Sequence, residues 1–318
     1  MNEFELIRHY FHHHDQGALL GIGDDAALLQ PTPGAVLAVS ADMLVAGRHF
    51  FADADPFLLG QKALAVNLSD LAAMGARPRW FLLSLALPQA DPDWLRRFSQ
   101  GLFSVAEQYE TALVGGDTTR GPLNLSLQII GEVPAQLALR RDQARPGDDI
   151  WVSGMLGEAA AGLRHLQGEW RLPAPQADIA LARLHAPQPR IALGLALRGI
   201  SRCAIDLSDG LLGDLQHICE RSSCGAELYW PDFLRSSVLQ VLDEAAQRRC
   251  MLAGGDDYEL CFTAAPDRRT QIEALSRQLQ LPLTRVGRIV RGSSVTLLDA
   301  DGKPIPHHLQ GFDHFDSP

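Results

Sequence analysis

The stretch KALAVNLSDLAAMGARPRWFLLSLAL, residues 62–87, decides the fold class. Leu64, Ala65, Val66, Leu68, Leu71, Ala72 and Met74 cover most of the surface of a helix that the pattern predicts over 57–74, and Gly75 stops it. Residues 79–87 follow as an apolar strand, so helix and strand alternate here with almost no connection. On the helix, Asn67 and Asp70 are spaced i, i+3 and share a face. A carboxylate in so apolar a helix is costly if buried without a partner. A cap or a solvent-facing position is the plain alternative, but the helix runs through Asp70, which favours a ligand role.

The same rhythm extends in both directions. Residues 35–40 read as a strand ending at Asp42, 92–109 as a helix capped by Asp91, 111–114 as a short strand and 123–133 as a long one. Upstream, residues 3–14 form an amphipathic helix with Asn2 as a cap, and His12, His13 and His14 fall around its end. Adjacent histidines point in different directions, so they read as a solvated terminus rather than a metal site. The polar, turn-rich segment 138–149, with Arg140, Arg141, Arg145, Pro146 and Gly147, marks a boundary. The expected domains are 1–140 and 141–318. In the second, strands are expected at 150–153, 202–206, 226–230, 259–263, 283–290 and 294–299, and helices at 155–167, 177–199, 210–221, 235–248 and 267–279.

Composition narrows the chemistry. The chain has 318 residues, 46% hydrophobic and 21% charged, room for two ordinary globular cores. A net charge of −10 without basic runs argues against a nucleic-acid surface. Lys62 and Lys303 are the only lysines, which excludes both the phosphate-binding loop ending in Gly-Lys-Ser/Thr and the strand lysine of protein kinases. Cys203, Cys219, Cys224, Cys250 and Cys261 are odd in number and hold no Cys-x-x-Cys, as in a reduced cytoplasmic protein. No apolar run is long enough to span a bilayer, so no membrane partner is expected.

Carboxylates recur where apolar runs give way to glycine turns: GIGDDAALL (21–29), VSADML (39–44), NLSDLAAMGA (67–76), GGDTTRG (115–121), IDLSDGLLGDL (205–215) and GGDDYEL (254–260). Like charges about 4 Å apart repel by roughly 4 kcal/mol at an effective dielectric near 20, so converging carboxylates call for cations. Oxygen ligands without histidine or cysteine clusters suit Mg²⁺, which usually shares its shell with substrate phosphates. Each motif alone has a bland reading. GIGDDA superficially fits a dinucleotide fingerprint, yet Pro31 and Pro33 cut short any following helix, and Asp24 and Asp25 have the wrong sign for a pyrophosphate. GGDTTRG alone is more often a hairpin turn. In IDLSDGLLGDL, Asp206 and Ser208 alternate at a strand end, and Asp209 and Gly210 turn into a helix whose N-terminus attracts phosphate, unless Ser208 or Asp209 merely caps it.

Taken in order, GIGDDAAL, DMLVAGRHF, KALAVNLSDLAAMGA, GGDTTRGP, AIDLSDGL, GGDDYELCF and the terminal GFDHF resemble the thiamine-monophosphate kinase family, of the superfamily that holds aminoimidazole ribonucleotide synthetase and selenophosphate synthetase. The resemblance spans nearly the whole chain. It implies a two-domain α/β (α+β) fold of mixed sheets with helices, aminoimidazole-ribonucleotide-synthetase-like, whose N-terminal domain binds ATP and Mg²⁺ and pairs with its copy in a homodimer. It also implies several Mg²⁺ ions and direct transfer of the ATP γ-phosphoryl group to thiamine monophosphate, giving thiamine diphosphate. Carried over residue by residue, Asp25, Ser40, Ala41, Asp42, Asp70, Asp117, Asp206 and Asp209 match metal ligands. Gly116, Asp117, Arg141 and Ser208 match ATP contacts, and His49, Asp256 and Phe312 match substrate contacts. Two positions depart from the family: a hydroxyl residue often stands at Ala41, which offers only a backbone carbonyl, and glutamate at Asp256, one methylene longer. No catalytic base is expected, because the acceptor phosphate is already ionised. A sister enzyme activating another acceptor and a non-catalytic nucleotide or metal sensor are the alternatives. Selenophosphate synthetases usually carry an early cysteine or selenocysteine, whereas no cysteine here precedes Cys203.

Overall fold

The structure is a computed structural model that describes residues 2–12, 17–306 and 309. The chain divides into two compact units, one of residues 1–71 with 76–136 and one of 72–75 with 137–318. Among the described residues no helix is long and apolar enough to cross a membrane.

The first unit is a four-stranded sheet in the order β1 (Val36–Val45), β4 (Asn124–Val133), β2 (Arg77–Leu87), β3 (Ala112–Arg120). It is antiparallel except for the β2/β3 pair. Helices α2 (Pro56–Ala73) and α3 (Pro92–Gln108) accompany it. Leu64, Leu68 and Leu71 of α2, Phe98 and Leu102 of α3, and Phe81, Leu125, Leu127 and Ile129 of the sheet are fully buried. The alternation along β4, with odd positions from Leu125 to Ile129 buried and Ser126, Gln128 and Ile130 half-buried, marks the face toward α2 as the more covered one. Asp91 caps α3 from its expected place, accepting the Asp93 and Trp94 amides. Asn2 and Glu5 form a capping box on α1 (Glu3–Tyr10), which ends before the histidines. His12 is exposed, and His13 and His14 lie outside the described residues.

Two strands are longer than the sequence indicated. β1 continues through Asp42 to Val45 because β4 supplies a partner as far as Asn124. GGDTTR is strand rather than turn, because β2 offers pairing groups out to Leu87, opposite Arg120. A register shift between Phe81 and Leu82 leaves Val114 without an opposite residue, just before Gly115 and Gly116.

The second unit is a six-stranded mixed sheet ordered β10 (Val295–Leu298), β7 (Gly225–Tyr229), β9 (Leu283–Val290), β5 (Asp149–Ser153), β8 (Leu260–Ala264), β6 (Cys203–Asp206). Only β10/β7 is parallel. Its core joins Ile150, Val152, Ile205, Leu215, Ile218, Leu228 and Ile289. The expected helix over 177–199 is instead α5 (Ala174–His185) and α6 (Ile191–Ala196), because Pro187 and Pro189 cannot continue it. The expected helix at 235–248 begins only at α8 (Glu244–Ala253), capped by Asp243, while Arg235 donates to the carbonyls of Trp230 and Phe233. The five cysteines are free and buried, and burial pushes Cys203 and Cys219 up to about 12, which leaves these thiols unreactive.

Candidate active site

In the first unit, the polar face of α2 meets β1. Asn67 is fully buried; its side-chain nitrogen donates to the Ala63 carbonyl (2.9 Å) and its oxygen accepts the Asp42 amide (3.2 Å). One turn on, half-buried Asp70 accepts the Ser40 hydroxyl at 2.5 Å. Ser40 and Asp42, two apart on a strand, point to this same face, while Ala41 is exposed on the other. The i, i+3 pair thus faces a strand carrying a hydroxyl and a carboxylate, and neither a cap nor free solvent explains it.

The register sets the span of this cluster. Asp42 pairs with Leu127, Leu127 with Leu83, and Leu83 with Gly116, so one row crosses the sheet from edge to edge. Asp117 is in the next row, opposite Ser84. Three strand spacings separate Asp42 from Gly116, about 14 Å. At Gly116, where φ is +147°, a Cβ would lie 1.8 Å from the Leu83 carbonyl oxygen, so only glycine fits.

Two turns complete the first unit's candidates. Leu20 and Leu28 bridge across the GIGDDA turn, where exposed Asp25 follows Asp24, whose carboxylate accepts the Asp25 amide at 2.9 Å. No helix follows, as the prolines require. His49 lies in the turn after β1, its Nδ1 accepting the Val45 amide at 3.0 Å.

In the second unit the motifs at 205–215 and 254–260 come together. The Asp256 amide donates to the Ser208 carbonyl (2.9 Å) and the Tyr258 amide to the Leu207 carbonyl (2.8 Å). Asp206 ends β6, buried; Ser208 and Asp209 are half-buried just beyond it. Helix α7 (Leu211–Ser222) follows with Gly210 as its N-cap, and Asp214 Oδ2 accepts the amides of Asp209 (3.2 Å) and Gly210 (3.1 Å) just ahead of the first turn. Neither Ser208 nor Asp209 is the cap. Burial first, and then the carboxylates of Asp206 and Asp209, push the Asp214 carboxyl up to about 8. The exposed Arg141 guanidinium acts in the opposite direction on the same carboxyl.

Several residues escaped the sequence reading. Asp214 carried a signal, an acid in the first turn after an Asp-Gly pair. Asp257, Glu259, Ser153 and Arg190 carried none that is local: Glu259 is buried against the Ser153 hydroxyl (2.5 Å) and in a two-pronged ion pair with Arg190, about 70 residues upstream. Phe312 lies outside the described residues.

The donor set fits hard divalent cations. The oxygens are carboxylate, hydroxyl and carbonyl, and in the second unit Asp206, Asp209 and Asp214 are near enough to act on one another's charge. Among the described residues no group of three or more His, Cys, Asp or Glu is gathered tightly enough to hold a metal ion. Pairs of carboxylates whose shells are completed by water and phosphate oxygens are what Mg²⁺ favours.

Comparison with known proteins decides among these chemistries. The models for AIR synthase related protein match in order, the N-terminal domain over residues 23–133 and the C-terminal domain over 145–299. Thiamine-monophosphate kinases of Escherichia coli K12 and Salmonella typhimurium LT2 are 46% and 45% identical to it over 321 residues, with 99% of each chain covered. The chain belongs to the thiamine-monophosphate kinase family. It is accordingly a kinase. The solved thiamine-monophosphate kinase of Stenotrophomonas maltophilia is 50% identical, with a TM-score of 0.84 over 91% of this chain and 92% of that one. AaThiL, solved in complex with AMPPCP and TMP, is 31% identical with a TM-score of 0.79 over 92% of each chain. A hydrogenase maturation protein, HypE, at 23% identity and a TM-score of 0.75, shares the fold alone.

Proposed function

We propose that this kinase transfers the γ-phosphoryl group of ATP to the phosphate of thiamine monophosphate, in line and without a covalent intermediate, giving thiamine diphosphate. The observation that carries it is the complex of AaThiL with AMPPCP and TMP, a relative aligned over nine-tenths of this chain, with AMPPCP standing in for ATP. The chemistry asks little of protein bases. A phosphate acceptor is ionised at neutral pH, so the tasks are to hold two polyanions in line and to offset the charge that develops. Asp25, Ser40, the Ala41 carbonyl, Asp42, Asp70, Asp117, Asp206 and Asp209 would hold several Mg²⁺ ions. Bound Mg²⁺ supplies charge neutralisation and a template for the phosphate oxygens.

The remaining roles fall to the chain itself. Gly116 lets the backbone approach the nucleotide, and Arg141, Asp117 and Ser208 orient it. His49, fixed through its Nδ1, and Asp256 bind thiamine monophosphate, with Phe312 as an aromatic platform. Residues 1–140 form the ATP, Mg²⁺ and dimerisation domain and 141–318 the C-terminal domain. The dimer reading rests on the sheet of the first unit: β1 is an edge strand of ten residues, and Leu37, Val39 and Met43 stand exposed on the face opposite Ser40 and Asp42, Val39 at 66%. A second copy of the chain is the partner that this surface fits. Free, buried cysteines accord with a cytoplasmic setting.

The test is direct. Protein incubated with MgATP and thiamine monophosphate forms thiamine diphosphate and ADP in equal amounts. ATP held without ADP formation when thiamine monophosphate is added marks a sensor and overturns the reading.

A further inference from the structure

The loop 254–260 is fastened on two sides. Through its backbone it is zipped to the segment after β6: the Asp256 and Tyr258 amides donate to the Ser208 and Leu207 carbonyls, and the Leu207 amide donates to the Glu259 carbonyl at 2.8 Å. A Cβ on Gly255 would sit 2.3 Å from the Ser208 oxygen, so this approach is as close as backbone permits. Both residues whose amides face that segment have left-handed backbones, Asp256 at φ +67° and Tyr258 at φ +49°. An aspartate tolerates that conformation; for tyrosine it costs on the order of 1–2 kcal/mol, so the surroundings must impose it.

The side chains between them supply the constraint. Glu259 is tied to Ser153 and Arg190 at the end of the loop. Asp257, between the two left-handed residues, reaches across to Gly157, whose amide donates to Oδ1 at 2.9 Å and Oδ2 at 3.0 Å. Gly157 is the N-cap of α4 (Glu158–Leu166) and has no side-chain cap of its own, so Asp257 serves from a hundred residues away as the missing cap.

We propose that Asp257 is a positioning residue for thiamine monophosphate: by holding the Gly157 amide it keeps Asp256 in the left-handed conformation that presents its carboxylate to the cationic organic part of the substrate. The inference rests on the assignment of Asp256 as a substrate contact. Burial, with Glu259, Glu158 and Asp256 nearby, pushes the Asp257 carboxyl above the usual carboxylate range. Asparagine keeps the size of the side chain and an oxygen within reach of the Gly157 amide.

Steady-state kinetics of the full-length enzyme test this. Asp257→Ala raises KM for thiamine monophosphate by roughly tenfold, short of the hundredfold that misplacing a reacting group can cost, with kcat and KM for ATP within about twofold. Asp257→Asn, whose amide oxygen still accepts from Gly157, returns KM to within about twofold of the parent. If the alanine variant does not fold, Asp257→Ser, too short to reach Gly157, replaces it. An unchanged KM for thiamine monophosphate, an equal rise in both KM values, or no rescue by asparagine overturns the proposal. A parent enzyme that forms no thiamine diphosphate overturns the functional reading itself, and the proposal with it.

Discussion

Asp70 and Glu132 are carboxylates set among apolar neighbours, and their partners give them opposite tasks. Glu132 accepts the Thr32 amide and hydroxyl, each at 2.7 Å, and pairs with Arg79 at 2.6 Å. Burial alone would raise its pKa, but the Thr32 hydrogen bonds and the Arg79 charge lower it below the ordinary 4.5. A lowered carboxylate contributes stability that is complete above its unfolded value and disappears as pH falls through the folded one. Glu132→Gln is therefore expected to cost about 1–2 kcal/mol at pH 7, and less as the pH drops below 4.5. Denaturant melts of both proteins between pH 7 and pH 3 check this, and a gap that stays constant contradicts it. Asp70 accepts the Ser40 hydroxyl and faces Asp42 across the same cluster. Asp70→Asn keeps the shape and an acceptor for Ser40 but removes the charge a cation would need. Turnover is expected to fall by at least the roughly 10- to 100-fold that loss of even an outer-shell metal partner costs, with the melting temperature of the metal-free protein unchanged or higher. Near-normal turnover at saturating Mg²⁺ removes Asp70 from the ligand set.

At the scale of elements, the site depends on how closely α2 and α3 pack. A Cβ on Gly60 would lie 2.2 Å from the Phe98 carbonyl oxygen, and one on Gly101 would lie 1.9 Å from that of Phe57. The two glycines let the helix backbones touch, which seats α2 where Asn67 and Asp70 reach β1. Neither helix can yield without disturbing buried Phe98, Leu102 and Leu64. Gly101→Ala is expected to cost at least the roughly 1–3 kcal/mol of an overpacked core and to lower the melting temperature, read by circular dichroism. A variant as stable as its parent would mean the crossing can open without loss. These glycines show what was legible in the chain. The helix at α2, the acidic turns and the strand at 283–290 follow from local pattern, with the last matching β9 residue for residue. Strand extents through Asp42 and GGDTTR did not, because they are set by the lengths of partners, β4 and β2, distant in sequence. The Pro187–Pro189 break was present in the residues and overridden by an apolar periodicity that continued on both sides. Asp257 and Glu259 lie in GGDDYEL, but their partners Gly157 and Arg190 come near only when β5, β8 and the loop before α6 are assembled.

For the molecule as a whole, charge decides how a phosphate-transferring site can work. The chain carries −10 overall with two lysines in 318 residues, and Lys62 is buried in α2. Several arginines are committed to carboxylates: Arg190 to Glu259, Arg269 to Asp149, Arg288 to Glu227 and Arg79 to Glu132. Among the candidate site residues Arg141 is the one cation, against seven aspartates. ATP and thiamine monophosphate add more negative charge to both sides of the transfer. At an effective dielectric near 20, each unit pair about 4 Å apart costs roughly 4 kcal/mol, more than one guanidinium can offset. In the proposed reaction, divalent ions beyond the one that arrives with the nucleotide would supply that charge. Activity at a fixed concentration of MgATP is therefore expected to keep rising with free Mg²⁺ after the nucleotide is saturated, and to vanish with a chelator. Mg²⁺ should also raise the melting temperature without nucleotide, because a cation bound by the folded carboxylates stabilises that state by mass action. A flat rate once MgATP has formed, together with a melting temperature indifferent to Mg²⁺, would mean that the aspartates hold no metal of their own and shape the loops instead.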